Sequence, residues 1–284
     1  MKKYLKATGF ILIYAGIYFA LQFLYLIAAS IIATIMEVVK NPNMNPLELT
    51  EELTSIIMGQ VHMAIIFATV ISIPIYYAIG IARKQNLFKL CSFSSIKPMS
   101  IFMLIIAGIS INLSSGYLLE ITQRLDFLKG YFEEHDELMK ALVGGSNILV
   151  VFIGTAIAAP VIEEILFRGL IFNELKKVMS VTAAVVLQGV LFGIYHMQVV
   201  QGAYAAIFGI LMGLAYVWTK SIWSSIIIHI MINGTSVILS SIPEKAGFIT
   251  ILENYSPMIF VISLLLVIGS YFYLHKSRIQ LLES

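Results

Sequence analysis

An all-α membrane fold, a bundle of about eight transmembrane helices, is predicted by three features of this sequence. Of its 284 residues, 59% are hydrophobic and only 12% charged, where soluble domains run at about 45–50% apolar and about 25% charged. The apolar residues form stretches close to the ~20 residues that a helix needs to cross the hydrocarbon core. Lys and Arg gather in alternate connections, as they do on the cytoplasmic side of polytopic proteins.

Eight stretches meet the length criterion: about 9–36, 60–82, 100–119, 148–171, 181–198, 202–219, 222–241 and 257–274. The first follows Lys2, Lys3 and Lys6 and exceeds the ~7–15-residue core of a cleavable signal, so it reads as a retained span. Between the first two, residues 37–59 carry the turn signals Asn41, Pro42, Asn45 and Pro46. Residues 120–147, ending in Gly144-Gly145, form a second long loop. Both loops mix charged and apolar residues, which predicts short amphipathic helices, the second with Leu125, Phe127, Leu128, Tyr131 and Phe132 against headgroups. The fifth, sixth and seventh stretches are joined by very short connections, one of them Lys220-Ser221, so they must be antiparallel neighbours.

Lys2, Lys3, Lys6, Arg83, Lys84, Lys89, Lys97, Lys176, Lys177, Lys220, Lys276 and Arg278 fall on one side of this arrangement. The opposite connections carry Glu48, Glu51, Glu52, Asp126, Glu133, Glu134, Asp136, Glu137, Glu244 and Glu253. A multi-pass protein of the cell membrane with both termini cytoplasmic is predicted, and an even number of spans satisfies it. The net charge of +2 therefore speaks to orientation, and no basic patch with interleaved aromatics suggests a nucleic-acid partner. The single cysteine, Cys91, permits no internal disulfide and no Cys-based metal cluster. Without an internal repeat, an inverted-repeat transporter gains no support.

Ionisable residues inside a span are costly and mark function by default. Those within the predicted spans are Glu163, Glu164, Arg168, His196 and His229, all in the second half of the chain. Glu164 and Arg168 are four apart, acid first, and meet on one helical face. Glu163 points about 100° away from that pair, and a dehydrated carboxylate without its own cation is suited to general acid–base work. His229 and Asn233 are also four apart and address one target together. Gly154, Gly189, Gly193, Gly202, Gly209 and Gly213 are the small residues expected where membrane helices approach closely.

At these positions the sequence resembles the CPBP family, the CAAX proteases and bacteriocin-processing enzymes also called the Abi family. Its motifs Glu-Glu-x-x-x-Arg, Phe-x-x-x-His and His-x-x-x-Asn or Asp appear as Glu163-Glu164 with Arg168, Phe192 with His196, and His229 with Asn233. The resemblance covers roughly residues 148–241, which would form the catalytic core of one transmembrane domain spanning 1–284. It implies an eight-helix fold and endopeptidase activity on membrane-associated peptides or proteins. By motif position, Glu163 would activate water with His196, His229 and Asn233 would stabilise the oxyanion, and Glu164, Arg168 and Phe192 would support them.

The expected partners are membrane lipid and a peptide or membrane-protein substrate, whether a prenylated tail, a peptide pheromone or a bacteriocin leader. A mechanism without a cofactor is favoured, because there is no His-Glu-x-x-His and Asn is a poor zinc ligand. The alternative is a zinc peptidase holding its metal with Glu163, His196 and His229. A non-catalytic immunity or scaffold protein and a proton-coupled transporter are the other readings of the same residues.

On a straight α-helix from Val181, His196 lies about 22 Å deep, against about 10–13 Å for Glu163 and His229. A later helix start, a tilt or a kink at Gly189 would reconcile the depths; otherwise His196 lies outside the site.

Overall fold

The computed structural model describes residues 1–143, 147–243 and 246–283. Gly144, Gly145 and Glu244, invoked above, lie outside these residues. The principal helices are α1 (Lys2–Lys40), α2 (Pro46–Ala82), α3 (Pro98–Gln123), α4 (Lys129–Val143), α5 (Ile148–Leu175), α6 (Val181–Tyr195), α7 (Val199–Thr219), α8 (Ile222–Ser241), α9 (Gly247–Asn254) and α10 (Ser256–Glu283). Seven of them, α1, α2, α3, α5, α7, α8 and α10, are long and apolar enough to cross a membrane, and α6 is a shorter apolar helix of 15 residues. The all-α polytopic class is thus as expected.

Two boundaries differ from the sequence reading. Residues 37–59 do not form a loop with its own helix; α1 and α2 extend through them, leaving only a turn at 41–45. No helix breaker precedes Asn41. Asn45 then accepts from Leu47 N–H at 3.0 Å and Glu48 N–H at 2.9 Å, with Pro46 opening α2. Asx capping followed by Pro is a strong start signal. The fifth stretch is also shorter than read, ending at Tyr195. His196 closes α6, Met197 takes a positive φ of 53°, and the Gln198 side chain caps α7 by accepting from Gln201 N–H at 2.6 Å.

A backbone reversal at membrane depth is tolerated where protein covers it. The amphipathic α4 supplies that cover: Gln198 donates to Tyr131 O at 3.3 Å, and His135 packs edge-on against Tyr204 at 6.2 Å. Phe127, Tyr131 and Leu125 are exposed, as predicted for headgroup contact, whereas Phe132 is buried against the bundle.

The segment α5 runs through the centre, packing against α1, α2, α6 and α8, while α3 packs against α8 and α10. The neighbouring pairs α6/α7 and α7/α8 form as expected. The α6/α7 pair depends on glycine: a Cβ on Gly209 would lie 2.8 Å from the Gly189 Cα, and one on Gly202 would lie 2.9 Å from the Gly193 carbonyl. Much of the remaining surface is apolar, as lipid-facing residues such as Leu24, Ile31, Leu265 and Phe272 require.

Candidate active site

The helix α5 is not uniform. Residues Phe152–Ala158 and Ile165–Ile171 are wound as π-helix, bracketing the α-helical turn Ala159–Glu164 that presents both acids. Such widened turns cluster at functional sites. The first has a visible end. Ala159 N–H bonds to Gly154 O, five residues back, and the next bond in that register would come from residue 160, which is Pro and has no N–H. The Thr155 carbonyl is left free, and Asn233 Nδ2 donates to it at 2.9 Å.

Glu164 and Arg168 pair as the sequence predicts, Nη1 to Oε1 at 2.8 Å with both side chains fully enclosed. A charge pair taken out of water needs further hydrogen bonds to compensate its dehydration. Arg168 Nη2 donates to Gly209 O at 2.9 Å, and the guanidinium lies 4.8 Å from the Phe192 ring centre. Glu164 Oε1 also accepts from His229 Nδ1 at 2.8 Å. With Nδ1 bonded to Glu164, the His229 ring plane is fixed, and Nε2 is turned toward Glu163 Oε2 at 3.7 Å. The Glu163 side chain keeps 9% exposure where Glu164 has none, so the first acid is the one open to a reactant. Glu163 thus lacks the Arg168 pair, as predicted, but it faces an imidazole.

His196 is oriented by its own helix. Its Nδ1 donates to Phe192 O at 2.8 Å on its own helix, which leaves Nε2 as an acceptor. Phe192 stands edge-on to both imidazoles, 4.8 Å from His196 and 5.6 Å from His229 between ring centres. Among the described residues no hydrogen bond or ion pair joins His196 to Glu163. Of the explanations for the depth mismatch, a later start of α6 is ruled out, since Ser180 caps it at Val181. Both histidines thus pack against the one Phe192 ring.

Several polar residues were not singled out from the sequence: Gln188 is not ionisable, Arg83 and Glu174 lie just past the predicted spans, and His62, inside the second span, was passed over. Gln188, fully buried, donates to Gly209 O at 2.8 Å, the carbonyl that also holds Arg168. Buried His62 corrects the view that intramembrane ionisable residues are confined to the second half. Its Nε2 donates to Leu142 O at 2.8 Å and its Nδ1 accepts from Thr155 Oγ1 at 3.1 Å, tying α2 and α4 to the turn that Asn233 holds. Arg83 and buried Glu174 pair at 2.7 Å at the other end of α5. A lone amide or imidazole in an apolar helix was the available signal.

Among the described residues no three His, Cys, Asp or Glu side chains form a group that could hold a metal ion, and Glu163, His196 and His229 do not form one. Both ring nitrogens of His229 face carboxylates. As placed, these side chains do not fit a zinc site.

Fold and site together define a multi-pass helical membrane protein whose central segment carries the Glu-Glu-x-x-x-Arg, Phe-x-x-x-His and His-x-x-x-Asn motifs on adjoining helices. A family model described as type II CAAX prenyl endopeptidase Rce1-like matches residues 145–235, the segment bearing all three motifs. The chain is 27% identical over 140 residues to "Putative membrane peptidase YdiL" of Bacillus subtilis (strain 168), covering 49% of this chain and 57% of that protein. It is 29% identical over 129 residues to the membrane-embedded CAAX protease MroQ of Staphylococcus aureus (strain USA300), covering 43% and 52%. The matched part thus spans just over half the length of each relative. No solved structure matches. The resemblance read from the motifs is borne out by these matches.

Proposed function

We propose that this chain is an intramembrane endopeptidase of the glutamate type, hydrolysing peptide bonds of membrane-associated proteins or peptides. The observation that carries the reading is the Glu163 carboxylate at 3.7 Å from an imidazole whose other nitrogen is fixed by a fully buried ion pair. Base, orienting imidazole and supporting charge are the parts that activation of a weak nucleophile needs. The names of the matched family and of MroQ point to the same chemistry.

In this mechanism Glu163 takes a proton from water as the water oxygen attacks the scissile carbonyl carbon. His229, carrying a proton on each ring nitrogen, would donate from Nδ1 to Glu164 and from Nε2 to the carbonyl oxygen as charge develops on it. The proton held by Glu163 then passes to the leaving amine as the C–N bond breaks. Glu164 and Arg168 act through His229 as positioning residues. His196, its Nε2 free to accept, would hold the water or substrate. Asn233 has one amide hydrogen committed to Thr155 O, and its second is the one available to an oxyanion. The orientation with cytoplasmic termini, and the role of residues 148–241 as the catalytic core, are parts of the same proposal.

The test compares membrane proteomes of cells making the wild-type chain and Glu163→Ala at equal levels. A fragment that appears only with the wild type supports the reading. Indistinguishable proteomes, with any biological effect of the protein intact in the variant, would instead favour a non-catalytic protein.

A further inference from the structure

At the end of the bundle where α1 begins and α2 and α5 finish, a cavity of about 650 Å³ opens to the surface. Lys3 and Lys6 line it from α1, Arg83 and Gln85 from just past α2, and Lys176 and Lys177 from just past α5. One carboxylate, Glu174, faces these five cations, and it is already committed to Arg83 at 2.7 Å and Lys177 at 2.8 Å. Arg83 is held further by the Tyr14 hydroxyl at 2.5 Å and lies 3.5 Å over the Phe10 ring, so that wall is fixed. Among the described residues Lys3, Lys6 and Lys176 have no carboxylate partner. Partial burial first, and the neighbouring Lys177 second, lower the Lys176 pKa.

A second observation points to a ligand. Gln85 Oε1 is buried without a hydrogen-bond partner. Its backbone is pinned, Gln85 N–H donating to Gly80 O at 2.8 Å and Lys84 N–H to Ile81 O at 2.9 Å, with Lys84 at φ 56°. This is the helix-ending turn that closes the last carbonyls of α2. The cavity therefore combines cations that have no carboxylate partner with an unpartnered acceptor on a lining residue, enclosed at the wall and brought to a ligand by a turn of the Gln85 side chain. A lone carboxylate would meet the cations but offer nothing to Gln85.

We propose that this cavity binds a phosphate group flanked by a hydroxyl, the chemistry of a glycerophosphate headgroup, with Lys3, Lys6 and Lys176 around the phosphate and Gln85 accepting from the hydroxyl. Basic pockets between transmembrane helices at the membrane boundary suit anionic headgroups. The proposal does not depend on the peptidase reading.

Native mass spectrometry of the purified full-length protein tests it, titrated separately with phosphatidylglycerol, phosphatidylcholine, glycerol 3-phosphate and inorganic phosphate. The wild type should hold phosphatidylglycerol over phosphatidylcholine, and Lys6→Gln/Lys176→Gln should lose roughly ten-fold or more of that affinity. Gln85→Leu should weaken phosphatidylglycerol while leaving inorganic phosphate unchanged. Retention of the lipid alone identifies the membrane as the source, and comparable binding of glycerol 3-phosphate identifies a soluble ester; either supports the site. Equal phosphatidylglycerol affinity in the wild type and the double variant, or no preference for any of the anions over phosphatidylcholine, overturns it. Should the double variant melt early, Lys3→Gln/Lys6→Gln, confined to the exposed start of α1, is read by the same criteria.

Discussion

Arg168 holds its full charge with no solvent contact, between Glu164 at 2.8 Å and Gly209 O at 2.9 Å. Arg168→Met would strand Glu164 as an unpaired buried acid, a loss of about 3–5 kcal/mol, measured as early thermal unfolding in detergent. Arg168→Lys should recover only part of this, since a point charge cannot make both contacts at once. Glu163 behaves oppositely: Glu163→Gln keeps the shape and the hydrogen-bonding capacity of a side chain that, unlike Glu164, makes no ion pair with Arg168. It should melt as the wild type does while peptide cleavage falls by about 10²–10⁴; an early-melting variant would mark Glu163 as structural. Glu163, Glu164 and Arg168, with His229, were legible because charge inside an apolar helix is rare and i, i+4 spacing fixes a face. Glu164 as the direct partner of His229 was not legible, because that contact joins two helices whose relative rotation no local pattern encodes.

At the scale of the element, Pro160 and Asn233 are one device. The proline withholds the N–H that the π register would bring to Thr155 O, and the amide of α8 replaces it at 2.9 Å. Asn233→Ala leaves a carbonyl unsatisfied inside the bundle and should cost about 1–3 kcal/mol. Pro160→Ala returns the missing donor, so the double variant should be less impaired than the sum of the singles. A double-mutant cycle in thermal unfolding measures this coupling, and strict additivity would show that the two sites are independent. Helix existence was legible from hydrophobic runs, and the antiparallel α6/α7/α8 order from short connections. Helix length was not, because α1 and α2 continue as helix beyond their apolar stretches until Asn41 stops the first and Asn45 caps the second. The π turns were equally hidden, since their sequence is as apolar and as helix-compatible as the α-helical residues beside them.

For the molecule as a whole, the charge asymmetry predicts which loops share a side. Cys91 makes this measurable without removing it. It is the single cysteine, fully buried, and burial pushes its thiol up to about 12, so almost none exists as the thiolate that reacts with maleimides. Wild-type protein should remain unlabelled in intact and in permeabilised cells alike. Against that silent background, Phe127→Cys and Glu134→Cys, exposed on and beside α4, should react with an impermeant maleimide in intact cells. Lys84→Cys and Lys220→Cys, at exposed turns among the basic connections, should react only after permeabilisation. Labelling of all four from one side would contradict the alternating path that places α4 and the cluster of Lys3, Lys6, Arg83 and Lys176 at opposite ends of the bundle. The inverse pattern would keep that path and reverse its direction, placing the basic cavity in the outer leaflet against the usual distribution of Lys and Arg.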